Sequence, residues 1–226
     1  MTGSLRCVDQ QRADLFVQTA ETVCRLATHP AVAARWSQGS TCAGMTVGGL
    51  AHHLTDQLRT TVAFLGISSD EVPAELPLVT LPEFYRLASW VWSGPDDPGH
   101  VGLREAADAD ATAGPEALAT ALEADLAALR SALADVGGRT PDRVFVPWEG
   151  VWLSTADWLL SREVELVVHA DDLAASVALP TPHVPGPVAA DVLAAMTALA
   201  VERHGQVAVV RTIARPQRAP ASVEPF

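Results

Sequence analysis

Residues 154–176 read STADWLLSREVELVVHADDLAAS, and this stretch decides the fold. Ser154-Thr155-Ala156-Asp157 is an N-terminal cap pattern, which predicts a helix from there to about Ser176. Leu159, Leu160, Val164, Leu166, Val167, Val168 and Leu173 leave that helix apolar nearly all round, the pattern of a helix enclosed by its neighbours. Arg162, Glu165, His169 and Asp172 follow one another at spacings of three, four and three, so all four share one face. On a polar helix such a stripe is ordinary solvated charge. On an enclosed one it must find partners or a metal ion, because an unpaired buried charge is expensive.

Outward from this helix the chain reads as mainly α. Gln11 to Thr28 carries Phe16, Ala20, Val23, Cys24 and Ala27 at helical spacing and closes at His29-Pro30. A loop with Gly39, Ser40, Thr41 and Gly44 leads to Thr46, the cap of a second helix running to about Leu65 with Leu50, Leu54, Leu58 and Val62 on one side. Gly48 and Gly49 are expected to weaken its first turn. Residues 67–82 and 94–115, rich in Pro, Gly, Asp and Ser, are expected to be long loops around one short helix from Pro82 to Trp92. Pro115 to Val136 is the clearest helix, with a stripe of Leu118, Leu122, Leu126, Leu129 and Leu133 and a stop at Gly137-Gly138. Arg143 to Leu153 reads as a short extended arm or hairpin interrupted by Pro147 and Gly150. A proline-rich loop then precedes a helix from Val188 to His204, and residues 205–226 supply a short element and a tail that packs back on the bundle. The whole chain, 1–226, is expected to form a single domain.

A net charge of -12 with no basic run disfavours a phosphate backbone as partner, so no nucleic acid is expected. No segment has the length of uninterrupted apolar residues that a membrane span needs, and no membrane is expected either. Cys7, Cys24 and Cys42 lack the spacing of a zinc knuckle or redox pair, which suits a reducing cytoplasm. Serine-nucleophile, phosphate-loop and dinucleotide patterns are absent.

Glu165 and His169 stand one helical turn apart, the spacing at which two side chains grip one ion. A third ligand must come from another helix, and the second helix offers His52 and His53. His53 shares a face with Leu50, Leu54 and Gln57, whereas His52 is turned roughly 100° away, so His53 is the expected ligand. Two imidazoles and a carboxylate leave a coordination position open on zinc or a similar divalent metal. Asp172 would orient an imidazole, and Arg162 would pair with Glu165 or an anionic ligand; a salt bridge within the helix is the ordinary alternative for both. His29, His100, His183 and His204 are expected to be solvated, and the tryptophans Trp90, Trp92, Trp148, Trp152 and Trp158 either line a pocket or fill the core.

Two segments resemble a known family. Met45-Thr46-Val47-Gly48-Gly49-Leu50-Ala51-His52-His53-Leu54 is similar to the W-T-V-x-D-L-x-x-H-L segment of the DinB-like superfamily, in its mycothiol-dependent maleylpyruvate isomerase branch. Arg162 to Ala174 resembles that branch's R-x-x-E-x-x-x-H-x-x-D-L-A segment. The resemblance implies a DinB-like four-helix bundle holding a metal, usually zinc, through His53, Glu165 and His169. It also implies that, as in actinobacterial members, the small thiol mycothiol serves as co-substrate, for isomerisation or for sulfur transfer to an electrophile. An arginine near the C-terminus of such isomerases corresponds to Arg215, or to Arg211. Met45 in place of Trp, Gly49 in place of Asp and a short C-terminal segment depart from the pattern.

The expected function is a metal-dependent isomerase or thiol S-transferase acting on a small electrophilic or keto-acid substrate, with Arg162, Asp172 and Arg215 as catalytic groups. Two other functions stay open: a thiol-independent isomerase, lyase or cyclase of secondary metabolism, and a non-catalytic small-molecule-binding or resistance protein. Monomer and homodimer stay open as well.

Overall fold

The structure is a computed structural model that describes residues 8–73, 75–139 and 141–225; Cys7 lies outside them. Helix α1 (Gln10–Ala27) begins where Asp9 accepts a hydrogen bond from the Arg12 amide. A short α2 (Pro30–Ala34) follows, capped by the His29 ring. Helix α3 (Val47–Leu65) starts at Thr46, whose hydroxyl accepts from the Gly49 amide. Next come β1 (Leu78–Val79), α4 (Leu81–Leu87), α5 (Ser89–Trp92), α6 (Pro98–Ala111) and α7 (Pro115–Leu133). Strands β2 (Arg143–Val146) and β3 (Val151–Ser154) lead into α8 (Thr155–Ser176), and α9 (Gly186–His204) and α10 (Gln206–Ala214) complete the order.

Four of these helices close a ring: α1 packs on α7 and α8, and α3 packs on the same two. The leucine and aromatic stripes meet inside it, with Phe16, Leu54, Leu58, Leu129 and Leu159 at no exposure. Burying each such side chain is worth about 1.5–3 kcal/mol, which is why helices with one apolar stripe assemble this way. Helix α8 is also covered on its outer side by α9, so its nearly all-round apolar pattern is used on every face. Its N-terminal half is buried without a break from Thr155 to Val164.

The segment 94–115, expected to be loop, contains α6. Asp97 caps it by accepting from the Gly99 amide, and Pro98 occupies its first turn. It lacked a visible stripe because it docks on α3 through Ala107, Ala111 and the carboxylate of Asp108 rather than through leucines. Gly48 and Gly49 are the other half of this contact. A Cβ on Gly49 would stand 2.0 Å from Asp108 Oδ1, and one on Gly48 would stand 2.6 Å from the Trp36 ring. Asp108 Oδ1 accepts from the Thr46 amide at 3.0 Å and hydroxyl at 2.6 Å, and Trp36 Nε1 donates to the Ala111 carbonyl at 2.8 Å. These glycines therefore fix a close approach instead of merely loosening a turn.

The expected helix from Pro82 to Trp92 is two pieces, because Ala88 is extended at ψ 99°. Residues 143–154 form a hairpin whose turn contains Pro147 and Gly150, with Val144 opposite Leu153 and Val146 opposite Val151. β1, inside a segment expected to be loop, adds to β3 in parallel and pairs Leu78 with Trp152. The C-terminal segment packs through α10 on α9, and the chain returns so that the Glu224 carbonyl meets His204 Nε2 at 2.7 Å.

Candidate metal centre

Three side chains converge where α3 faces α8. His53, three residues after Leu50 and on its face, points across the interface at Glu165 and His169. His169 Nε2 lies 3.4 Å and His53 Nε2 lies 3.9 Å from Glu165 Oε2. The two rings meet edge to face with centroids 4.8 Å apart, and all three ligand atoms lie within 4.8 Å of one another. His52 turns away, as the helical rotation requires, and sets its ring edge-on against Trp36.

The charges of the cluster are unequal. Burial, assisted by His169, pushes His53 down to about 4, so it is a neutral imidazole. Burial works to raise Glu165, but the hydrogen bond and charge of His169, with Arg162 and His53, outweigh it and bring Glu165 to about 2. Burial also opposes the charged form of His169; bonds to Asp172, Cys42 and Glu165 overcome that and raise it well above the ordinary histidine value. The cluster thus presents an anionic oxygen beside two imidazoles, and an ion held there would take the place of a proton on His169 Nε2.

The donor set fits a metal. Zinc bonds to nitrogen and oxygen of about 2.0–2.2 Å at tetrahedral angles put ligand atoms roughly 3.4 Å apart. The distances of 3.4 and 3.9 Å match within small side-chain shifts. Two imidazoles and one carboxylate are also the ligand types of open zinc sites.

Around these three, Asp172 Oδ2 bonds His169 Nδ1 at 3.0 Å, the orienting contact expected from one turn of helix. Arg162 does not form the intrahelical salt bridge considered for it. Its Nη1 donates to Gln57 Oε1 of α3 at 2.8 Å, and its guanidinium lies over the buried Trp158 ring, 4.7 Å from the centroid. Gln57 in turn donates to the His53 carbonyl, so Arg162 ties α8 to the turn of α3 that carries His53. Arg215 sits at the exposed end of α10 with Nη1 on the Ala214 carbonyl, and among the described contacts none joins it to the cluster. Arg211 is exposed as well.

Two groups near the site escaped the sequence. Cys42 Sγ donates to Asp172 Oδ2 at 3.3 Å, brought there by a loop whose contacts no local pattern reveals. Tyr85, fully buried on α4, is raised by burial and by the Glu165 carboxylate near it. Its buried position in a short helix between loops carried no signal. Of the other histidines, His29 and His183 are exposed, but His100 and His204 are half-buried with backbone carbonyl partners at Trp90 and Glu224. Their expected solvation is only partial because each ring bonds a backbone carbonyl from a neighbouring segment, ten residues back for His100 and twenty residues on for His204. Trp152 and Trp158 are core residues, whereas Trp92 and Trp148 are substantially exposed.

A closed ring of four helices with an inward-facing His, Glu and His defines the class, a DinB-like helical bundle. The model of the mycothiol maleylpyruvate isomerase N-terminal domain family matches residues 17–174, more than half of the chain, and the chain belongs to that family. No curated protein and no solved structure matches it. Among the described residues no helix is long and apolar enough to cross a membrane.

Proposed function

We propose that the chain is a metal-dependent enzyme, with zinc held by His53, Glu165 and His169, that uses mycothiol or a similar small thiol to isomerise, or to transfer sulfur to, a small electrophilic or keto-acid substrate. The observation that supports this reading is the convergence of those three ligand atoms across α3 and α8. Membership of a family described by a mycothiol-linked isomerase supports the thiol. A divalent ion there supplies Lewis-acid chemistry, lowering a thiol's pKa or polarising a carbonyl.

The chain's own groups have distinct tasks in this reading. His53 and Glu165 are ready ligands, one neutral and one anionic. Asp172 acts through His169 and holds its ring in one orientation. Arg162 is a positioning residue: its bond to Gln57 keeps α3 and α8 in register, and its charge favours the Glu165 carboxylate. The part-exposed side of the cluster, where His169 and Asp172 keep 22% and 31% of their surface, is the way in for thiol and substrate. The free thiols of Cys24 and Cys42 suit the reducing cytoplasm in which such a co-substrate is maintained.

The test begins with the elemental metal content of the purified protein beside a His53→Ala variant. About one ion per chain, lost in the variant, is expected. Turnover of maleylpyruvate or of a thiol-reactive electrophile should then require both ion and mycothiol. Turnover without thiol would assign a thiol-independent isomerase or lyase, and ligand affinity without turnover a binding protein. Absence of metal after reconstitution would sink the reading.

A further inference from the structure

Behind His169, on the side of the ring away from Glu165, a second set of donor atoms meets. Nδ1 of the same imidazole lies 3.0 Å from Asp172 Oδ2, Cys42 Sγ lies 3.3 Å from that oxygen, and Sγ and Nδ1 are 3.9 Å apart. This thiol, carboxylate and imidazole lie within 4.8 Å of one another, as the three ligand atoms of the first cluster do. With a metal–sulfur bond of about 2.3 Å, tetrahedral geometry separates sulfur from a nitrogen or oxygen ligand by roughly 3.6 Å, between the two sulfur distances found here.

The thiol is held in place. The loop carrying Cys42 is closed by the pairing of Gly39 with Thr46 and by the Ser40 amide on the Met45 carbonyl at 3.0 Å. Gly44 takes the positive φ of 82° that brings the chain back. Thr41 then ties the loop to α8, its amide donating to Ser176 Oγ and its hydroxyl to the Asp172 carbonyl, both at 2.9 Å. Six residues of loop thus set a sulfur over one turn of α8 with both ends pinned. Cys24, by contrast, is sealed in α1, and burial pushes its thiol up to about 12.

We propose that Cys42, Asp172 and His169 Nδ1 form a second cation site, for a thiophilic divalent ion such as zinc or cadmium, back to back with the His53–Glu165–His169 set across one imidazole ring. The soft sulfur selects such ions over magnesium or calcium, which prefer oxygen. On binding, the ion takes the places of the Cys42 thiol proton and of the His169 Nδ1 proton, both of which leave to solvent, and water completes the coordination. The same event takes Asp172 Oδ2 and Nδ1 away from their mutual hydrogen bond. Occupancy of the second site therefore alters the ring that serves the first, and excess thiophilic ion is expected to weaken metal binding there.

The test is a cadmium titration of the full chain, followed by its thiolate-to-cadmium charge-transfer absorption. Wild type and Cys7→Ser should develop one thiolate band, and Cys42→Ser and Cys42→Ala should not, with unchanged circular dichroism showing that they fold. Asp172→Asn should keep the band with an affinity at least about tenfold lower. His53→Ala should lose the first ion and retain the band, which separates failure of this inference from failure of the proposed enzyme. A band that survives in Cys42→Ser, or disappears in Cys7→Ser, or never forms in wild type, overturns the second site.

Discussion

His169 Nδ1 stands 3.0 Å from Asp172 Oδ2 while Nε2 of the same ring faces Glu165 Oε2 at 3.4 Å, so one imidazole is held between two carboxylates of its own helix. A neutral imidazole donates its lone pair from one nitrogen, and the acceptor on the other nitrogen decides which one. Asp172→Asn should therefore loosen the metal by about ten- to a hundredfold while leaving the melting temperature of the metal-free protein nearly unchanged, since Asp172 is about one-third exposed. Competition against a chromophoric chelator measures the loss, and an unaltered affinity would remove Asp172 from the site.

Gly49 and Asp108 occupy one space. Gly49→Ala brings a Cβ against a carboxylate that is already bonded to the amide and hydroxyl of Thr46, so α6 must shift or Asp108 must leave its cap. The expected cost is about 1–3 kcal/mol in a urea titration. Adding Asp108→Ala to Gly49→Ala should cost less than the sum of the two single changes, because the clash is then gone.

Arg12 spans three helices, bonding Glu163 of α8 and Asp191 of α9 from its place in α1. Arg12→Ala leaves the fully buried Glu163 carboxylate without that cation and should destabilise the protein by about 3–5 kcal/mol at pH 8. Burial, opposed by Arg12 and aided by Asp191, raises Glu163 from 4.5 to about 7. The folded chain then binds more protons than the unfolded chain between those values, so this group's contribution to stability falls as pH rises through that window and is level above it. Stability measured at pH 5 and pH 7.5 should show this slope in the wild type and lose it in Glu163→Gln.

Ala178 ends α8 in the left-handed region at φ 57°, with the Leu179 amide closing on the Ala174 carbonyl at 2.9 Å. Glycine adopts that conformation without the Cβ penalty of about 1 kcal/mol. Ala178→Gly is thus expected to raise stability by about 0.5–1 kcal/mol, visible as a higher melting temperature with metal content unchanged. A lower melting temperature would show that unfolded-chain entropy outweighs the relieved strain at this position.

The sequence by itself determined which residues share a helix face, because periodicity is a property of one segment. Arg162, Glu165, His169 and Asp172 lie in a row on α8 for that reason, and His53 is turned roughly 100° from His52 for the same one. The all-round apolar character of residues 158–173 likewise required neighbours on every side, hence a bundle. Only the tertiary structure decided what those faces meet. Helix α6 was not legible, since a helix that docks through Ala107, Ala111 and Asp108 buries too little apolar surface to leave a stripe. The split at Ala88 and the parallel pairing of β1 with β3 depend on partners distant in the chain. Arg162 found Gln57 rather than Glu165 because the interhelical partner lies within its reach once α3 and α8 pack. Cys42 is the sharpest case: 127 residues separate it from His169, and only the folding of its loop onto α8 makes the two neighbours.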